Sequence, residues 1–170
     1  DAGSATEVTA TEAAATEVTA AVVELTAEDI EPTARRRALW RVLRGELRST
    51  GGRGLLGPRA ASRWAVDTVI NVAPRIPVRD LATLRAHHGG LEGDALAERL
   101  IRAAAVTTAS IGAAGGGVAS IEWVVTPALL SAPVLLAAET VAVVAVELKL
   151  IAELHEAYGQ PVPGTVPQRA

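Results

Sequence analysis

Residues 109–120 read ASIGAAGGGVAS, with Gly112 and Gly115 to Gly117 falling within six positions. The stretch is either a phosphate-cradling loop, a chain break or a helix face made for close packing, and the fold turns on which. Gly112, Gly115 and Gly117 fit G-x-x-G-x-G, a pattern that works when bare backbone N–H groups meet phosphate oxygens at a helix N-terminus. That fingerprint must follow a buried strand and open a helix. What precedes it here is ALAERLIRAAAVTTAS, which reads as helix, and no Lys-Ser/Thr follows, so a Walker-type loop is excluded. The helical reading explains more. Ala104, Thr108, Gly112, Gly116 and Ser120 recur every four residues, and all are small. Such a stripe lets two helix backbones approach closely. Glycine in a helix costs about 0.5–1 kcal/mol relative to alanine. The stretch therefore predicts helix to about Gly112, with the glycines then facing a neighbouring helix or opening a hinge.

The surrounding composition agrees with closely spaced helices. Of 170 residues 49% are apolar but only 2% aromatic, with no Phe, Met or Cys. The core must be built from Ala, Val, Leu and Ile. Without cysteine there is no disulfide, thiolate zinc site or Cys nucleophile. Fifteen of the sixteen basic residues are Arg, which with the Ala and Val load points to a high-GC bacterial genome. The chain begins at Asp1 without a Met, so further residues are expected upstream. No signal peptide is visible.

A net charge of −3 hides three blocks. Residues 1–31 carry eight acids and no base. Residues 35–85 carry twelve Arg against Glu46, Asp67 and Asp80, and residues 86–170 carry four bases and eight acids. The first block repeats ATEVTA at Ala5–Ala10 and Ala15–Ala20. Its acids have no basic partners at helical spacing. It is read as an acidic low-complexity arm over 1–31, mobile to about residue 20, or else docked on the Arg block. Val22, Val23, Leu25 and Ile30 order its last part.

After Pro32, Leu39, Val42, Leu43 and Leu47 mark an amphipathic helix capped at Thr33 and stopped by Gly51 and Gly52. Its other face carries Arg35, Arg36, Arg37, Arg41, Arg44 and Arg48. A second helix opens at Pro58 and runs to about Ala73, and VRDLATLRAHH forms a short third, stopped at Gly89 and Gly90. These Arg-rich helices occupy 34–88. Apolar Gly-rich helices fill 94–159, from Asp94 to Gly159, and a Pro-rich tail covers 160–170. The alternation Val146, Leu148, Leu150 admits a strand. The unpunctuated run from Leu135 to Tyr158 is too long for one and reads as helix. The whole is an all-α, single-domain bundle, residues 32–159, with a long apolar C-terminal helical hairpin.

Nineteen uncharged residues, Ala103–Ile121, and sixteen more, Trp123–Ala138, raise the question of a membrane span. The first run has few large side chains. The second is interrupted by Pro127 and Pro133 and followed by Glu139, and a mid-bilayer acid is costly. A helix apolar on all sides reads as the central helix of a bundle, or as part of a hairpin that inserts shallowly.

The final LIAELHEAYG, ending in Tyr158 and Gly159 after Gly-rich apolar helices, resembles the C-terminal half of EcsC-family bacterial proteins over about residues 95–159. The resemblance implies a bacterial, membrane-associated protein, and with the high-GC composition the source is read as actinobacterial. The family is named for a protein encoded beside an ABC transporter and brings no catalytic residues.

Other chemistry is sparse. His87 and His88 read as a helix C-terminal cap, with no third metal ligand at a telling spacing. His155 lies in ELHE, which is not H-E-x-x-H. No catalytic, cofactor or metal residues are assigned. The Arg block admits a solvated face, attraction to anionic headgroups or nucleic acid; the last lacks interleaved aromatics. With Trp40 and Trp64 inside the block, Arg35, Arg36, Arg37, Arg41, Arg44 and Arg48 form the expected lipid or anion surface. Three functions are carried forward. The first is a non-enzymatic EcsC-type protein on the cytoplasmic face of a bacterial membrane, homo-oligomeric, without nucleic acid. The second is a self-assembling structural or interaction protein, soluble in the cytoplasm, whose small-residue stripes pack helices between subunits and whose acidic tail addresses a protein partner's basic surface. The third and weakest is a nucleotide-binding enzyme.

Overall fold

The structure, a computed structural model, describes the backbone of residues 2–49, 58–125 and 132–160, and the side-chain surroundings of 12–45, 58–116 and 133–160. The regular elements among the described residues are all helices: α1 (Ala2–Leu25), α2 (Pro32–Ser49), α3 (Pro58–Val72), a 3-10 turn (Ala73–Arg75), α4 (Leu81–His87), α5 (Gly93–Val125) and α6 (Ala132–Ala157). No strand occurs among them, and residues 146–150 are helix.

Helix α6 packs against each of the other five α-helices. It can do so because it turns small or branched side chains in several directions: Val134, Ala137, Ala138, Val141, Ala142, Ala145 and Val146 are all buried. Helix α5 runs antiparallel to it. Gly115 lies against Glu139 near one end, and Leu100 shares a cavity with Leu150 and Glu153 near the other. Helices α1 and α2 form a second antiparallel pair, in which Val18 meets Gly45 and Glu24 meets Arg41. The main core joins these pairs through Val22, Leu25, Leu39, Val42, Ile111 and Val141. A smaller core, Leu84, Leu96, Leu100 and Ala157, seats α4 at the far end of α5 and α6.

Several boundaries follow from local chemistry. The Asp80 side chain accepts from the Thr83 N–H at 2.8 Å and caps α4. Gly159, at φ +64°, ends α6, with the Gln160 N–H donating to the His155 carbonyl at 2.9 Å. This is the left-handed stop expected of glycine at that place.

Two expectations are corrected, and the acidic arm takes the docked one of its two readings: α1 runs as helix from Ala2 to Leu25, and over its second half Ala14, Val18, Ala21, Val22 and Leu25 form a buried stripe against α2 and the rest of the core. Tertiary burial outweighs the weak helix propensity of Thr and Val. Thr33 is not the cap of α2, since Pro32 already occupies the first turn and the Arg35 N–H donates to the Glu31 carbonyl at 2.9 Å. The glycines do not end α5, which continues through Gly115–Gly117 to Val125. Among the described residues no helix is long and apolar enough to cross a membrane.

Candidate functional site

Where α6 passes the α1–α2 turn, four charged side chains meet, Lys149 and Glu153 buried and Arg79 and Glu28 half-buried. Arg79, from the link before α4, donates from Nε to Glu153 Oε1 at 2.8 Å and from Nη2 to Glu153 Oε2 at 3.0 Å. The same Nη2 pairs with Glu28 Oε1. Lys149, one turn before Glu153, lies 3.6 Å from Glu28 Oε1 and 3.8 Å from Glu153 Oε1, and its ammonium donates to the Thr26 carbonyl at 3.4 Å. The Glu153 side chain is only 3% exposed. Two carboxylates and two cations leave this cluster neutral, which is what makes its burial tolerable.

The electrostatics follow from those contacts. The Glu153 hydrogen bonds, outweighing burial, raise the Arg79 pKa above its ordinary value. Burial pushes the Glu28 carboxyl up, yet the hydrogen bond and charge of Arg79, helped by Lys149, hold it below the usual carboxylate range. Beside the cluster is a cavity of ≈ 20 Å³ bounded by Thr26, Thr107, Lys149 and Glu153. That is room for one water molecule and for no organic substrate.

Next to Glu28 stand His87, the last residue of α4, and His88, its C-cap. Their rings meet edge to face with centroids 5.0 Å apart. His87 is exposed and His88 half-buried. His88 Nε2 is shut off from solvent without a hydrogen-bond partner. Burial pulls the His88 pKa down, against the pull of Glu28.

The expected lipid or anion surface is redistributed. Arg35 is buried, at 4% exposure, and its Nη1 donates to the Thr107 carbonyl of α5 at 3.1 Å. Burial lowers its pKa. The reason is geometric: Arg35, Leu39 and Val42 lie on one stripe of α2, so the first arginine of the triplet turns inward with the leucine. Arg41 pairs with Glu24 of α1. Trp40 and Trp64 pack against the main core. Arg36, Arg37 and Arg44 are exposed, and the Arg48 side chain lies outside the described residues.

The small-residue stripe of α5 is split as well. Ala104 packs against the core and Thr108 is half-buried, whereas a Cβ added at Gly112 or Gly116 would meet nothing within 4 Å. Ser120 lies outside the described side chains. The close approach inside this chain is made at Gly115 instead, one step round the helix. The structure does not bring the arginines of α2 and the glycines of α5 together as one site.

The ion cluster has a faint signal in the sequence. Lys149 and Glu153, four apart in an otherwise apolar helix, must either snorkel or find buried partners. Nothing local marks Glu28 or Arg79 as those partners, 121 and 74 positions away. No family model, no curated protein and no solved structure matches this chain.

Proposed function

We propose that this is a non-enzymatic, membrane-associated helical protein of EcsC type, which binds the anionic cytoplasmic surface of a bacterial membrane. The observation that supports it best is the outer stripe of α3. Arg59, Arg63, Val66 and Ile70 follow one another at four, three and four residues and are all exposed, Val66 at 58% and Ile70 at 63%. Across an apolar groove of ≈ 320 Å³, Leu136 of α6 is exposed at 65%. Large aliphatics beside paired arginines suit the boundary between headgroups and acyl chains. Each basic residue near an anionic surface contributes about 1 kcal/mol. Arg36, Arg37 and Arg44 add to the positive field of the chain's middle. On this reading the apolar helices α5 and α6 form the hairpin that the α3 stripe brings to the lipid.

Flotation with phosphatidylglycerol vesicles tests the reading. The chain is expected to co-float, to be released by salt, and to stay behind with neutral vesicles. Failure to co-float, or binding indifferent to salt and to lipid charge, overturns it.

A second reading, self-assembly, draws on α5. Ala105, Ala109, Gly112 and Ala113 are exposed, with Val106 at 65% beside them, so a second copy of the helix can come close there. Sedimentation distinguishes the two, because a concentration-independent monomer without lipid rules out self-assembly.

A further inference from the structure

We infer that Glu28, His87 and His88 form a binding site for one divalent transition-metal ion of the zinc class. Each residue offers one ligand atom, and the three atoms lie within 4.8 Å of one another. Ligands at Zn–N distances of 2.0–2.1 Å in a tetrahedron are about 3.4 Å apart. Small side-chain rotations close the gap, and His87, exposed at the end of α4, is free to make them.

Three features separate this from a chance meeting of polar groups. First, His88 Nε2 is buried and makes no hydrogen bond. A buried imidazole nitrogen left without a partner calls for a water or an ion. Second, both neighbouring cations engage Oε1 of Glu28, which leaves Oε2 to accept an ion. Arg79 then orients the ligating carboxylate in the manner of an outer-sphere partner. Third, the donor set of two imidazoles and one carboxylate suits zinc-like ions, whereas magnesium and calcium prefer oxygen alone. Three protein ligands leave a fourth position for water.

The ligands come from two places far apart in the chain, the α1–α2 turn and the end of α4. A bound ion therefore ties the first helical pair to the short helix that closes the smaller core. Arg79 and Lys149 add positive charge nearby, so the affinity is set by the inner ligands against that repulsion. The inference is independent of membrane binding.

Calorimetric titration of the untagged, metal-free chain with Zn²⁺ is the test, with Co²⁺ absorption as a second readout. One equivalent is expected, with a d–d spectrum of low-coordinate cobalt and a Tm that rises with metal concentration. His87→Ala and His88→Gln should each weaken binding by at least about tenfold, the loss produced by removing even an outer-sphere partner. His155→Ala, outside the cluster, should leave it unchanged. His87 is exposed, so His87→Ala folds and reports on ligation alone. No binding to the wild-type chain, or binding that survives both His87→Ala and His88→Gln, overturns the inference.

Discussion

The Glu139 carboxylate of α6 lies over Gly115 of α5, in the space that a Cβ would fill. The glycine and the acid should therefore be energetically coupled. Gly115→Ala in the wild-type chain must displace the carboxylate, which offsets the gain of about 0.5–1 kcal/mol from placing Ala in a helix. In a Glu139→Ala background the added methyl fills an emptied notch and the gain is realised. A double-mutant cycle by urea denaturation should give a coupling of at least about 0.5 kcal/mol. Additive effects would show that the two residues do not touch.

Burial raises the pKa of Glu139 above its ordinary 4.5. An acid held less readily as its anion in the folded state favours folding below the unfolded pKa. That contribution is lost as pH rises through the folded value. Glu139→Gln should therefore raise Tm relative to wild type at about pH 7, while the two proteins converge at about pH 4. A constant difference across that range would mean that the substitution acts through packing.

Removing one cation from the buried cluster should be costly. Arg79→Met leaves Glu28 and Glu153 sharing Lys149 alone, at 3.6 and 3.8 Å. Loss of one partner of a buried pair typically costs about 3–5 kcal/mol, because it strands the other charge. Arg102→Met, whose pair with Glu98 is exposed on both sides, should cost at most about 0.5 kcal/mol. Equal effects in chemical denaturation would count against burial as the cause.

How much of this was legible depended on the range of the interaction. Helix periodicity in Leu39, Val42 and Leu43 fixed the inward face of α2, and Gly159 fixed the end of α6, because both are read from neighbours in sequence. Arg35 was misplaced because its charge suggested solvent, although its spacing of four from Leu39 already put it on the inward stripe. The second half of α1 was hard to read for the opposite reason. Its propensity is poor, and Ala14, Val18 and Ala21 are buried against α2 and the core, which no local pattern in 1–20 announces. Glu28, His87 and His88 meet only because the α1–α2 turn folds against the end of α4. The pairing of two histidines was visible, but the third group was not.

Gly45 of α2 faces Val18 and Ala14 of α1 at short range. A Cβ there would sit 2.5 Å from Val18 Cγ2 and 3.5 Å from the Ala14 carbonyl oxygen. A cavity of ≈ 170 Å³ adjoins this contact, but Val18 is β-branched and stiff at χ1, so overpacking still costs about 1–3 kcal/mol, more than the roughly 0.5–1 kcal/mol gained in helix propensity. Gly45→Ala should lower stability, and Val18→Ala should restore part of it by vacating the contact. Thermal melts of the two single variants and the double variant decide this; no recovery in the double would place the strain in the backbone.

The α3 stripe separates the electrostatic and apolar parts of the membrane reading. Arg59 and Arg63 act at a distance, so Arg59→Glu with Arg63→Glu should weaken vesicle binding most at low salt, where the Debye length is longest. Val66 and Ile70 act only on insertion. Val66→Ser with Ile70→Ser removes aliphatic surface that is exposed in the free protein, at 58% and 63%, and so should leave Tm nearly unchanged. Loss of about 1.4 kcal/mol of partial burial lowers the partition coefficient about tenfold, and does so equally at low and high salt. If the serine variant instead showed the salt dependence of the arginine variant, or none of the loss, the aliphatic stripe would not be the part of the protein that enters the lipid.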